Sequence, residues 1–594
     1  MKKMIRNTYI LQIIPAAILT LVCLFIASYG YSENIFFSYF KDMRVLAMNF
    51  VPVYLILVII SLVVKSVPIG FGITSILMVA MAYTHEKKVI YRSEPLMLSD
   101  LKLVREAMSM SKSYNVAPDT LTLIAIGIVV VLLIVLIFLC RNLHWNFRWI
   151  GFAIYTMCLV VFINTLAFDD KLYFDIGKES SGLNMWVYLE SYEAKGIVYP
   201  FLHSIKTSKN YKYKGYDKKR AEELLSKYEY KNIPDDKKVD IILLQLESFK
   251  DFYMYRNDAL QFNYDPYDYF HKLQSESITG SLMVNTFGGG TFITETNVAT
   301  GNRNNPIYNV NKNSYIWYLK SQGYKAIGTH PNVGTFYNRV NAYKHLGFDE
   351  FHDMENTYKE VSDEILFDRD YFPYIIKDHD DAEGKPYISL NVSYQGHGPY
   401  NREVCPDNPG LKWNDSYDVG NYNYFNNYLN LIHDTNYKLK MLVDNFEKSD
   451  RPIVLVFWGD HSPSMGEANS IFKMFNINCD MATPDGLYNI YATPYVIWAN
   501  SKAKELTGNS FVGEGPTMEP AFLMNYLFRQ LGYEGDEYNQ FLTDFTQDVT
   551  VIKQNLTLYK GEFKPTTDPE VAERLKDFYN VEYNRMKNKV QVDK

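Results

Sequence analysis

The sequence predicts a bundle of about five transmembrane helices followed by an α/β domain with a central, mostly parallel sheet. Three observations predict it. Apolar residues crowd into the first 168 positions, the remainder is polar and mixed in charge sign, and from Val239 short apolar runs alternate with amphipathic ones. At 594 residues the chain exceeds a usual single core, so two or more units are expected. The composition divides it into a membrane part at 1–168, a charged, Tyr-rich connector at 169–236, a soluble domain at 237–545 and a tail at 546–594.

The membrane part rests on apolar stretches at Thr8 to Ser28, Val45 to Val64, Val67 to Tyr83, Leu121 to Cys140 and Trp149 to Phe168. A span needs about 20 apolar residues at helical rise, and the third stretch is the short one. Lys2, Lys3 and Arg6 precede the first stretch with no clean cleavage site after it, so a retained helix is expected rather than a signal peptide. These residues and the Arg141 and Arg148 loop favour a cytoplasmic N-terminus, which puts the soluble domain outside after five spans. The basic stretch Thr84 to Asp119, with Lys87, Lys88, Arg92, Lys102, Arg105 and Lys112, runs against that orientation.

In the soluble domain, Val239 to Leu246 reads as a buried parallel strand, and similar runs recur at Tyr324 to Gly328, Pro386 to Val392, Ile453 to Trp458 and Tyr495 to Ala499. Between them, Phe425, Leu429, Ile432, Leu439, Val443 and Phe446 mark one helix face. The net charge of −7 and the lack of a Lys/Arg block set nucleic acid aside as a partner. Of the five cysteines only Cys405 and Cys479 are in the soluble part, which implies no disulfide framework and two unpaired thiols.

The polar residues that carry chemistry sit after the strands, where α/β sheets bind ligands. Glu247 follows the first run, His330 the second, His397 the third and Asp460-His461 the fourth. Any one of these alone is more often a hydrogen-bonded loop residue; four together are harder to dismiss. Two carboxylates and an imidazole suit a divalent ion of borderline hardness and leave a position open for a reacting group. In Asn285-Thr-Phe-Gly-Gly-Gly-Thr291, the glycines allow close backbone approach, and the helix-compatible run after them offers free N–H groups to a phosphate. A plain Gly-rich turn capped by Thr291 is the simpler reading of that segment alone.

At these places the sequence resembles the lipoteichoic acid synthase and phosphoglycerol transferase family, in the sulfatase branch of the alkaline phosphatase superfamily. The resemblance implies a sulfatase-like catalytic domain, held outside the cell by the spans. Glu247, Thr291, Asp460 and His461 would hold the metal, Mn²⁺ with Mg²⁺ or Zn²⁺ as alternatives, and Thr291 would be the nucleophile. In Gly328-Thr-His-Pro-Asn-Val-Gly-Thr-Phe-Tyr-Asn-Arg, it implies His330, Tyr337 and Arg339 as substrate contacts, joined by His397 from Gln-Gly-His-Gly-Pro. The implied substrates are phosphatidylglycerol and a lipoteichoic acid or other cell-surface glycan or glycolipid acceptor. Thr291 stands where a sulfatase would carry Cys or Ser, and Tyr337 where lipoteichoic acid synthases typically carry Trp. The alternatives are a phosphoethanolamine transferase, whose relatives usually carry several disulfides, and a non-catalytic membrane scaffold that kept the fold.

Overall fold

The computed structural model describes residues 10–590 except 93–94, 99, 101–116, 141–147, 179–191, 208–212, 214, 305–307, 309, 335, 360–361, 363–364, 383, 467–468, 482, 554 and 589. It divides into two compact units, Met1–Asn210 with Thr335–Tyr337, and Tyr211–Gly334 with Asn338–Lys594. The division falls inside the expected connector.

In the first unit the apolar helices are α1 (Ile13–Ser28), α2 (Met43–Val64), α3 (Val67–Arg92), α4 (Thr120–Leu139) and α5 (Arg148–Phe162), the last continued by a π-helical turn at Ile163–Ala167. Four are long and apolar enough to cross a membrane, and Ile13–Ser28 is a shorter apolar helix. The short member is therefore the first and not the third, because α3 continues through Lys87 and Lys88 to Arg92. Lys65 ends α2 in the left-handed region (φ 56°), and Pro68 sits in the first turn of α3, where its missing N–H costs nothing. Asp42 and Asp119 cap α2 and α4 through the N–H groups of Arg44 (3.0 Å) and Thr122 (2.7 Å). Lys2, Lys3, Arg6, Lys102, Arg105, Lys112 and Arg141 lie outside the described residues.

The second unit is built on an eight-stranded sheet of β1 (Asp240–Leu246), β2 (Ile278–Met283), β3 (Lys325–Thr329), β4 (Glu350–His352), β5 (Tyr387–Val392), β6 (Ile453–Gly459), β7 (Ala492–Ala499) and β8 (Gly513–Glu514). Their order is β4-β3-β5-β1-β6-β7-β2-β8. The first five are parallel, and β7 runs antiparallel to both β6 and β2. Along β1, Ile241 and Leu243 join one apolar layer and Ile242 and Leu244 the other, so the strand is buried on both faces. Four further helices matter below: α6 (Thr291–Thr300), α7 (Arg339–Leu346), α8 (Val419–Phe446) and α9 (Pro569–Lys587). α8 carries the predicted apolar face and is capped by Asp418.

In the stretch 546–594, for which the sequence suggests only a tail, β9 (Val549–Ile552), β10 (Leu556–Tyr559) and β11 (Glu562–Pro565) form a small antiparallel sheet. α9 follows and buries Val571, Leu575, Phe578 and Val581 in the layer that covers one face of the main sheet. Cys405 and Cys479 are both free.

Candidate active site

β1 and β6 are neighbours in parallel register, with Leu246 opposite Gly459, so Glu247 and Asp460-His461 emerge side by side at their carboxyl ends. The ligand atoms of Glu247, Asp460 and His461 all lie within 4.8 Å of one another, and all three residues are buried. His461 Nε2 is 3.3 Å from Asp460 Oδ2 and 3.5 Å from Glu247 Oε1. The next residues orient this set. Ser248, held at φ 53°, donates its N–H to Asp460 Oδ1 (2.7 Å) and its hydroxyl to Glu247 Oε1 (2.9 Å). His461 Nδ1 faces Ser462 O at 3.2 Å, which turns Nε2 toward the carboxylates.

Asp460 Oδ2 and His461 Nε2 are buried without a hydrogen-bond partner among the described residues. Burial, and then the charge of Glu247, hold the Asp460 carboxyl above the usual carboxylate range. Two carboxylates and an imidazole converging in a buried spot, with lone pairs unmet, fit a divalent cation.

Thr291 is the first residue of α6 and is only 6% exposed. Its hydroxyl donates to Glu247 Oε2 at 3.1 Å, and Thr294 Oγ1 of the same helix donates to Asp460 O at 2.7 Å. Gly288, Gly289 and Gly290 all have positive φ (67°, 152° and 87°), a run that only glycine adopts without strain. The N-terminus of α6 has no side-chain cap, and the Ile293 N–H of its first turn donates to Gly290 O at 2.9 Å.

His330 follows β3, is buried, and places Nδ1 3.0 Å from Val392 O at the end of β5. Burial, then the charges of Arg339 and His397, hold its pKa well below the usual histidine range, so it is neutral. The next residue on that strand end, Ser393, accepts the N–H of Glu247 at 3.1 Å. His397 is exposed and stacks on Tyr394 at 4.6 Å and 8°. Its loop lies so close to β1 that a Cβ on Gly396 would stand 2.1 Å from Glu247 O. Arg339, first residue of α7, is 1% exposed and its fork is turned onto Glu295, with Nε 3.3 and 3.1 Å from the two carboxylate oxygens and Nη2 2.9 Å from Oε2. Tyr337 has φ 57° and packs edge-on against Phe336.

Glu295, Ser248 and Ser393 were not singled out in the sequence. Glu295 had a signal, since it stands four residues after Thr291 and so on the same face of a helix. The two serines had none beyond adjacency to the carboxyl ends of strands.

Residues 240–533 match the sequence model of the sulfatase family. Over 539 residues the chain is 25% identical to a putative cyclic beta-1,2-glucan modification protein of Rhizobium meliloti (strain 1021), a match that covers 86% of this chain and 81% of that one. Among solved structures it is similar to the Streptococcus pyogenes phosphoglycerol transferase GacH in complex with sn-glycerol-1-phosphate, at TM-score 0.48 and 19% identity over 63% of this chain and 94% of that chain. It is also similar to the integral membrane protein lipooligosaccharide phosphoethanolamine transferase A (EptA) from Neisseria meningitidis, at TM-score 0.43 and 12% identity over 88% of this chain and 97% of that chain. The stretch at residues 240–533 that matches the sulfatase model holds the site described above.

Proposed function

We propose that this chain is a metal-dependent phosphotransferase that moves glycerol phosphate from phosphatidylglycerol to a surface glycan through a phospho-threonine at Thr291. The observation that carries it is the 3.1 Å hydrogen bond from the Thr291 hydroxyl to Glu247, set at a glycine loop and helix N-terminus beside the buried Glu247, Asp460 and His461. Threonine at position 291, where a sulfatase would carry Cys or Ser, argues against sulfate-ester chemistry. The resemblance of the His330, Arg339 and His397 segments to phosphoglycerol transferases supports the headgroup, and the name of the Rhizobium meliloti relative supports a glycan acceptor.

Glu247, Asp460, His461 and Thr291 would hold a divalent ion, Mn²⁺ by preference, which when bound lowers the pKa of a coordinated hydroxyl and offsets charge on a phosphoryl group. The Thr291 oxygen attacks phosphorus and the bond to diacylglycerol breaks; an acceptor hydroxyl then attacks the phospho-threonine and frees Thr291. His330, neutral and with Nδ1 turned to Val392 O, presents Nε2 as a proton acceptor for that second attack. His397, open to solvent, is the histidine that can bring a proton to the leaving alkoxide. The apolar helices keep the domain at lipid headgroups, on the outer face by this reading, which raises the local substrate concentration.

A second reading is favoured by Glu295, whose carboxylate balances Arg339 and removes the net positive charge that would repel an ethanolamine headgroup. The deciding experiment incubates the full-length protein with Mn²⁺ in vesicles of mixed phosphatidylglycerol and phosphatidylethanolamine. Diacylglycerol release is followed from each lipid, and the Thr291 peptide is weighed. Phosphoglycerol on Thr291 supports the proposal; phosphoethanolamine there moves it to the second reading, and no adduct on Thr291 overturns the mechanism.

A further inference from the structure

Both ends of the segment that carries Thr291 are tied to one buried carboxylate, Glu519, which is 0% exposed. Upstream, Asn285, the first residue of the glycine loop, donates Nδ2 to Glu519 Oε2 at 2.9 Å. Downstream of α6, Arg303 Nε stands 3.3 Å from the same oxygen. Lys553, just after β9, closes the arrangement. Its Nζ donates to the carbonyls of Met283 (2.8 Å) and Val284 (2.9 Å) and to Asn285 Oδ1 (2.9 Å), and lies 3.4 Å from Glu519 Oε1. The N–H of Ile552 donates to that oxygen as well, at 2.9 Å. From α9, Glu582 accepts the N–H and Nδ2 of Asn304 at 3.2 and 2.9 Å.

Burying two glutamates and most of a lysine and an arginine (side chains 9% and 16% exposed) is costly, and apolar side chains would serve a mere cover at least as well. Burial, with a smaller push from the charge of Arg303, pulls the Lys553 ammonium down to about 8 against the attraction of Glu519. The loop these charges grip has three consecutive glycines at positive φ and so no side chains of its own there to hold it. Yet a nucleophile must be held to about 0.5 Å to react efficiently. Lys553 and Glu582 both lie outside the family-matched residues 240–533.

We infer that Lys553 and Glu519, with Arg303, are positioning residues that fix the loop Asn285–Gly290 and so the reach of Thr291, which makes the C-terminal sheet a working part of the site. The inference rests on Thr291 being the nucleophile. Its test compares wild type, Lys553→Met, Lys553→Arg and Glu519→Gln as full-length protein in detergent, reading hydrogen exchange of the 285–293 amides, Mn²⁺ binding, kcat and KM. Lys553→Met is expected to speed exchange in 285–293 by about tenfold while β1 and β6 stay protected. It should lower kcat on the order of 10- to 100-fold with KM within about twofold, with Lys553→Arg recovering part of the loss. Unchanged exchange in that loop overturns the inference, as does acceleration spread evenly over the domain, which is what a plain cover would give. If Lys553→Met does not fold, Glu519→Gln, which keeps its size and the Asn285 contact, decides by the same criteria. The exchange readout judges the brace even if wild type forms no adduct on Thr291, a result that would sink the proposed mechanism instead.

Discussion

Glu295 holds the guanidinium of Arg339 in a buried pair, with N–O distances of 3.3, 3.1 and 2.9 Å and side chains 0% and 1% exposed. Removing one partner leaves the other charge buried and unmet, which costs about 3–5 kcal/mol, whereas replacing both by apolar groups can be nearly neutral. Glu295→Ala and Arg339→Ala should each lose roughly that much stability in denaturant titrations. The double variant Glu295→Leu/Arg339→Met should regain most of it without regaining turnover. Additive losses in the double-mutant cycle would show that the two side chains are not coupled.

The same pair bears on headgroup choice. With Glu295 paired to Arg339, the site presents little net charge to an ammonium group, so wild type should prefer phosphatidylglycerol only through hydrogen bonding to its hydroxyls. Glu295→Gln unmasks the guanidinium and should widen the preference for phosphatidylglycerol over phosphatidylethanolamine on the order of tenfold. A narrowed ratio in the mixed-vesicle competition would mean that Arg339 does not face the headgroup.

The strands legible in the sequence were the continuous apolar ones. β1 and β6 lie in the parallel heart of the sheet, where burial on both faces writes itself as Ile, Leu and Val, while β3 (Lys-Ala-Ile-Gly-Thr) and β5 (Tyr-Ile-Ser-Leu-Asn-Val) beside them mix in polar residues. β2, Ile-Thr-Gly-Ser-Leu-Met, is half polar and carries Gly280, and β4 and β8 span three and two residues, too few to show a period. The direction of β7 depends on its neighbours and leaves no mark in Tyr495 to Ala499 itself. Within the site, Glu247, Asp460 and His461 were readable because strand ends announce them, but Arg339 was read without its partner. Glu295 sits inside an unbroken helix, where only a four-residue spacing, and no motif, connects it to Thr291.

Thr291→Ala removes a hydroxyl that makes one hydrogen bond and leaves little empty space, so stability should fall by no more than about 1 kcal/mol. Turnover and the protein adduct should both disappear, because no other described hydroxyl stands at the α6 N-terminus against Glu247. The variant should still bind Mn²⁺, while His461→Ala, which removes the imidazole, should lose it; metal analysis after chelation and reloading separates the two. Retained transfer by Thr291→Ala would place the nucleophile elsewhere.

His271 gives the domain a pH dependence that is independent of the catalytic site. Its Nδ1 lies 2.6 Å from Asp265 Oδ2 and its Nε2 3.1 Å from Asp251 Oδ2, so both nitrogens face carboxylates, as an imidazolium requires. Burial opposes the charge, but the two aspartates outweigh it and raise the pKa to about 9. A histidine raised in the folded state contributes its full stabilisation below the unfolded value of about 6.5, where both states are protonated, and loses it as pH climbs through about 9. With the ring a quarter exposed, solvent screening reduces the effect to roughly 1–2 kcal/mol. Wild type should therefore exceed His271→Gln by that amount at pH 6, and the gap should shrink steadily between pH 6.5 and 9 and close by pH 10. Urea titrations of both proteins across that range make the measurement. A gap that stays constant with pH would show that His271 is neutral in the fold, with Asp251 and Asp265 held by other donors.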